Sequence, residues 1–230
     1  MLIKKPSDIK SSEITDKEIY LNRRDFIIRT SATVATLTTG LTFPVLKARS
    51  AEVQAGKKFK GLQKSPFSTN EKLNSFKDIT SYNNFYELGT DKYSPSRNAK
   101  YLKTRPWTVT IEGEVKRPRT YDIDDFMKIS PLEERIYRLR CVEAWSMVIP
   151  WVGFPVNDLI KRVEPTSKAK YIQFVTLYDP EQMPGQNRAV LDWPYVEGLR
   201  MDEAMHPLTL FAVGLYGKTL PGQNGAPLRL

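Results

Sequence analysis

The chain has 230 residues, 40% of them hydrophobic, which is enough for one sizeable core or two small ones. Its 35 basic and 26 acidic residues give a formal net charge of +9, of which residues 1–50 contribute +4. The remaining +5 is a modest basic surface with no basic-aromatic stripe, so nucleic acid is excluded as the expected partner.

The N-terminal stretch 1–50 reads as a twin-arginine export signal. Asn22-Arg23-Arg24-Asp25-Phe26-Ile27 precedes a mildly apolar run, Ile28 to Leu46, and small residues around Ala48-Arg49-Ser50-Ala51 offer a cleavage site. Arg29 and the many threonines make the run a poor membrane span. The competing reading is a basic amphipathic helix. Export places the protein in the periplasm and makes the twin-arginine translocase a partner. That route carries folded proteins, which suits a cofactor inserted before export.

Residues 51–80 are polar and lysine-rich and read as an extended N-terminal arm; 81–230 read as the folded domain. Tyr82, Phe85, Tyr86 and Tyr93 open it with an aromatic stretch. Trp107 to Val115 alternates apolar and polar residues as a half-buried strand does, and Pro118 breaks it. Asp122 is placed to cap a short helix carrying Ile123, Phe126 and Met127. Glu134 to Leu139 predicts a strand that delivers Cys141. Val156, Leu159, Ile160 and Val163 have helical spacing, ended by Pro165. Tyr171 to Tyr178 is a nearly continuous apolar run and predicts a buried strand. Pro180 to Asp192 predicts a loop with a turn at Pro184-Gly185. One or two helical turns are expected over Met201–Met205, and a strand over Leu208–Tyr216. Gly217–Pro227 reads as a loop, and Leu228-Arg229-Leu230 as the start of a strand, so the sequence is expected to be a fragment. The pattern as a whole is α+β, with mixed sheets, short helices and long loops.

Cys141 is the only cysteine and His206 the only histidine. A disulfide, a Cys-rich zinc site and a Cys-x-x-Cys pair are therefore excluded, as are bis-histidine haem and His-based metal sites. Cys141 is left as either an inert buried thiol or a single soft thiolate ligand to a metal whose other ligands come from a cofactor. A cysteine nucleophile with His206 as base is a weaker alternative. No phosphate-binding glycine loop is present. Glu133, Glu134 and Glu143 are available for acid/base work, though such carboxylates also decorate solvated faces.

The run Glu134 to Met147, with Arg140-Cys141-Val142-Glu143-Ala144-Trp145-Ser146 at its centre, resembles the molybdenum-ligand segment of the sulfite-oxidase-like molybdopterin enzymes. Within them it is most similar to the periplasmic protein-methionine-sulfoxide reductase catalytic subunits. Asn83-Asn84-Phe85-Tyr86-Glu87, Pro180 to Gln186, Tyr195 to Arg200, Asp202 to Thr209 and Gln223-Asn224-Gly225-Ala226-Pro227 carry the resemblance along nearly the whole chain. The resemblance implies the sulfite-oxidase-like molybdopterin-binding fold and a Mo-molybdopterin cofactor. It implies Cys141 as the metal ligand and Glu143 beside the metal. It implies Asn83, Tyr86, Glu87, Thr176, Asn224 and Arg229 as the residues that hold the pterin. It further implies reduction of methionine sulfoxide in oxidised periplasmic proteins, with electrons from a membrane-bound haem b subunit. Members of that family continue past the position of Leu230.

Blander readings stand beside these. Thr176 fits simple packing, Asn224 before Gly225 fits a turn, and Arg229 between two leucines fits the wet face of a strand. Two other functions remain open: a sulfite-oxidising relative with Arg138, Arg140 and Arg229 as its anion pocket, and an exported binding module without metal.

Overall fold

A computed structural model describes residues 56–230. The export signal expected over 1–50, and the first residues of the arm, lie outside the described residues. No helix among the described residues is long and apolar enough to cross a membrane.

The organising element is a five-stranded sheet. Its strands are β1 (Gln63–Lys64), β4 (Glu133–Arg140), β5 (Ser146–Pro155), β8 (Leu210–Leu215) and β9 (Lys218–Thr219), in the order β1-β4-β5-β8-β9. β1 runs parallel to β4 and the other neighbours are antiparallel. Two small antiparallel ribbons flank it. One pairs β2 (Thr108–Ile111) with β3 (Arg119–Asp122), the other β6 (Tyr171–Val175) with β7 (Val196–Arg200). The helices are short: α1 (Phe76–Ser81), α2 (Ser94–Asn98), α3 (Ile123–Phe126), α4 (Val156–Val163) and α5 (Met201–Ala204).

The central strand β5 carries Met147, Val148, Ile149, Trp151, Val152 and Phe154, and it is buried from Val148 through Phe154. A strand with sheet neighbours on both sides and covered faces needs a continuous apolar run, not alternation. Ile149 and Trp151 pack with Ile79, Leu210, Ala212 and Leu215; Phe154 packs with Phe126, Ile160 and Phe211 in a second core. β5 and β8 change register between Val152 and Gly153. A side chain at Gly153 would lie 1.9 Å from the Phe211 carbonyl oxygen, so only glycine fits that crossing.

Two local expectations hold in detail. Asp122 caps α3, its carboxylate accepting from the Asp124 N–H at 2.8 Å. α4 buries Val156, Leu159, Ile160 and Val163 along one face and ends at Glu164 in the left-handed region, φ 50°.

One expectation fails. Tyr171–Tyr178 is not a buried strand: β6 stops at Val175, and Tyr171 and Val175 are 72% and 60% exposed. Within β6 only Ile172 and Phe174 reach the core, and beyond it Leu177 packs against the smaller cluster of Leu88, Leu102 and Met183. The strand pairs only with β7, so one face of the ribbon stays open among the described residues and the run must alternate.

Residues 58–74 pass from one edge of the sheet to the other. Phe59 N–H donates to the Gly217 carbonyl beside β9, while Gln63, Ser65 and Thr69 donate to carbonyls at Leu132, Glu134 and Ile136 along β4. α1 follows, capped by Ser75, whose hydroxyl accepts from the Asp78 N–H at 3.1 Å.

Arg135 anchors the start of β4. It is 2% exposed and binds the Glu133 carboxylate, the Tyr137 hydroxyl at 2.7 Å and the Pro207 carbonyl. A buried guanidinium needs this full set of partners, because either charge left alone there would be costly.

Candidate cofactor and metal site

The site is built on the tip of the β4–β5 hairpin. The strands pair in register from Glu133–Gly153 to Arg140–Ser146, and Cys141 to Trp145 close the loop. Cys141 N–H donates to the Trp145 carbonyl at 2.9 Å, and Ala144 N–H to the Cys141 carbonyl at 3.1 Å. Ala144 sits at φ 65°, the left-handed conformation that the tight return requires. The Cys141 thiol is therefore held by backbone geometry at the end of a rigid ladder, half-buried rather than sealed in a core. The inert-core reading of Cys141 does not match this position.

Polar groups converge on the tip from a distant segment. Asn84 Nδ2 lies 3.6 Å from Cys141 Sγ and donates toward it. Lys92 Nζ donates to the Asn84 side-chain oxygen and, at 2.8 Å, to Glu143 Oε1. Trp145 Nε1–H donates to Glu143 Oε2 at 2.9 Å. The Lys92 ammonium, followed by Trp145 and Asn84, holds the Glu143 carboxyl down at about 2. Its ionised form thus contributes fully above 4.5, and that contribution is lost only as pH falls through about 2.

A cavity opens behind the tip, lined by Tyr82, Asn83, Leu139, Trp145, Asn224 and Arg229 among others. Asn83 and Asn224 are buried, and both donate their Nδ2 to the same Ile79 carbonyl, at 2.9 and 3.1 Å. Their Oδ1 atoms have no hydrogen-bond partner and are the only such buried side-chain atoms among the described residues. Two orphaned acceptors in one cavity call for donors from a bound group. Arg229 lies over the Trp151 ring at 4.9 Å and donates to the Asn224 carbonyl at 3.1 Å. It has no carboxylate partner among the described residues, and loss of hydration pulls its pKa below the ordinary arginine value. An unpaired guanidinium in this setting is a socket for an anion, with the fork geometry that a phosphate matches. The donor set fits a molybdopterin: a thiol for a soft metal, buried acceptors for pterin N–H groups, and an arginine for the phosphate.

The remaining candidates form a second group. Glu87 is buried, and burial pushes its carboxyl pKa up. Gly185 N–H donates to the Glu87 carbonyl at 2.8 Å, and a Cβ at Gly185 would stand 1.9 Å from the Tyr86 carbonyl oxygen. Thr176 is exposed just beyond β6, its N–H bonded to the Tyr195 carbonyl at 3.0 Å. Tyr86, Glu87 and Thr176 do not line the cavity behind the tip. The segment Asn83–Glu87 joins the two groups.

Other assignments are narrowed. His206 is exposed, and its Nδ1 accepts from the Leu208 N–H at 3.2 Å. The adjoining Pro207 carbonyl meets Arg135, six residues before Cys141 along an extended strand and so roughly 20 Å away. His206 is therefore no base for Cys141. Arg138 is held by Glu71 and Ser146, which removes it from any free anion pocket. No cluster of three or more His, Cys, Asp or Glu with metal-site geometry occurs among the described residues. Asn84 and Lys92 were not singled out by the sequence; Asn84 sits in the Asn83–Glu87 motif, but nothing local marks Lys92.

Comparison with known proteins gives the family. Residues 96–230 match the oxidoreductase molybdopterin binding domain. The protein-methionine-sulfoxide reductase catalytic subunit MsrP of Burkholderia mallei is 54% identical over 237 residues, covering 100% of this chain and 72% of that protein. Its counterpart from Pseudomonas syringae pv. tomato is 55% identical over 243 residues, with the same coverage of 100% and 72%. The protein of the same name from Ralstonia nicotianae is 54% identical and covers 97% and 67% of the two chains. Among solved structures, the sulfane dehydrogenase SoxCD from Paracoccus pantotrophus aligns over 85% of this chain and 53% of its own, with 14% identity and a TM-score of 0.46. The chain is an α+β member of the oxidoreductase molybdopterin-binding family and belongs, within it, with the protein-methionine-sulfoxide reductase catalytic subunits.

Proposed function

We propose that this protein is a molybdenum-dependent oxidoreductase that reduces methionine sulfoxide residues in periplasmic proteins. The observation that carries the reading is the hairpin-tip thiol of Cys141 beside a cavity with two orphaned acceptors and an unpaired arginine. The names of relatives at 54–55% identity supply the substrate class. Reduction of a sulfoxide to a thioether consumes two electrons and two protons and releases water. It restores an apolar, flexible side chain, which is the benefit to an oxidised client. Bound molybdopterin supplies the oxygen acceptor and the redox couple.

The chain's own residues bind and orient. Cys141 Sγ is the metal ligand, and the backbone bonds of the hairpin fix its direction. The amide of Asn84 donates to that sulfur. Asn83 and Asn224 accept from the pterin, and Arg229 takes the phosphate. Tyr86, Glu87 and Thr176, which the resemblance assigns to the pterin, lie outside this cavity, Tyr86 and Glu87 on the segment that Asn83 begins. Glu143, held ionised beside the thiol, sets the charge at the mouth. Tyr82 and Trp145, in edge-to-face contact at 5.6 Å, form an apolar wall there.

The export signal supports a periplasmic location reached through the twin-arginine translocase. The name "catalytic subunit" carried by the relatives supports a partner subunit, and we assign it as a membrane-bound haem b electron donor. Steady-state assays of the metal-loaded protein with a methionine-sulfoxide peptide and with sulfite test the reading. Reduction of the peptide with negligible sulfite oxidation is expected; the reverse preference would overturn it.

A further inference from the structure

We propose that Lys92 is a positioning residue that sets the orientation of the Asn84 amide toward Cys141 and of the Glu143 carboxylate beside it. The inference rests on Cys141 being the metal ligand. Lys92 holds the site at three points. Its carbonyl accepts the Asn83 N–H at 2.9 Å. Its ammonium donates to the side-chain oxygen of Asn84, and to Glu143 Oε1 at 2.8 Å. A lysine normally extends into water, yet this side chain is 22% exposed and turned inward.

The chemistry follows from the amide. Asn84 has one acceptor and one donor end, and either can face the thiol. With the ammonium on Oδ1, only the Nδ2 donor can face Cys141 Sγ, where it lies at 3.6 Å. Without Lys92 the amide is free to turn its oxygen toward an electron-rich sulfur. Glu143 would keep Trp145 but lose its cation. The loop carrying Lys92 is itself fixed, because Asp91 accepts from the N–H groups of Tyr93 and Ser94, each at 2.8 Å. An ordinary surface ion pair would bind one carboxylate and matter little. Lys92 instead links the backbone at Asn83, the donor to the thiol and the carboxylate at the mouth.

The test uses metal-loaded protein with Lys92→Met, Lys92→Arg, Asn84→Ala and the double variant Lys92→Met/Asn84→Ala. Molybdenum content, the Mo(V) electron paramagnetic resonance spectrum, and kcat and KM for a small sulfoxide are measured. Lys92→Met is expected to keep its metal, shift the Mo(V) spectrum and lower kcat about tenfold or more, the scale of a group that orients a ligand. KM should stay nearly constant, and Lys92→Arg should recover much of the spectrum. The Lys92 and Asn84 effects should be less than additive, as they are for residues acting through one another. A wild-type spectrum and kcat in Lys92→Met, or fully additive effects, would overturn the proposal. Should Lys92→Met bind no metal, a loaded Lys92→Arg with the wild-type spectrum supports the relay, and one with a shifted spectrum contradicts it. If the unaltered protein reduces no sulfoxide, the proposed function fails while the spectra still decide the role of Lys92.

Discussion

Replacement of Cys141 by alanine is expected to abolish molybdenum-dependent sulfoxide reduction without unfolding the protein. The loss should exceed the roughly 10–100-fold typical of groups that only orient a ligand. The hairpin should survive, because the bonds that close it at 2.9 and 3.1 Å run between backbone atoms that alanine retains. The thiol is half-buried and fills no core, so the thermal midpoint should stay close to that of the parent. Activity assays beside a melting curve check both halves. Retained reduction would remove Cys141 from the site, and a large fall in midpoint would recast it as a structural residue.

Gly185→Ala is expected to be the most damaging single methyl group near the site. The new carbon would stand 1.9 Å from the Tyr86 carbonyl oxygen and 2.8 Å from that of Glu87. Both contacts are with backbone, so the Asn83–Glu87 segment has to move and the 2.8 Å bond from Gly185 N–H to the Glu87 carbonyl is lost. Overpacking of this kind costs about 3 kcal/mol, or roughly 6–12 °C in midpoint for a domain of this size. Molybdenum content should fall with it, since the displaced segment carries three of the proposed pterin contacts. Gly113→Ala is the control. Gly113 has φ 87° but nothing within 4 Å, so only local strain of roughly 1–2 kcal/mol is expected. Calorimetry and metal analysis on both variants check the pair. Equal midpoints would show that the Gly185 contact is easily relieved.

Much of this arrangement is legible in the sequence where the signal is local. The spacing of Val156, Leu159, Ile160 and Val163 gives α4, Asp122 marks the start of α3, and the strand ahead of Cys141 ends where the tip begins. β5 is harder to read. Its apolar run is continuous and contains Pro150, so neither alternation nor ordinary strand chemistry marks it. β6 misleads in the opposite sense, because an apolar run looks buried whether or not a neighbour covers it. The site partners are long-range: 57 residues separate Asn84 from Cys141 and 145 separate Ile79 from Asn224. No local pattern predicts that Lys92 folds back onto Asn84 and Glu143. Asn224 is a turn residue and a cavity residue at once, lying in the 3₁₀ turn Gly222–Asn224 ahead of Gly225 at φ 98°. Arg229 bridges to Ala212 as a strand residue, yet its guanidinium turns to the cavity and Trp151 and not to water.

The central claim is that Cys141, Asn83, Asn224 and Arg229 form one molybdopterin site. Elemental analysis of the protein purified from a host that makes the cofactor tests it most directly. Stoichiometric molybdenum, with Cys141 protected from alkylation, is the predicted result. Protein free of molybdenum, with a freely alkylated Cys141, would contradict it.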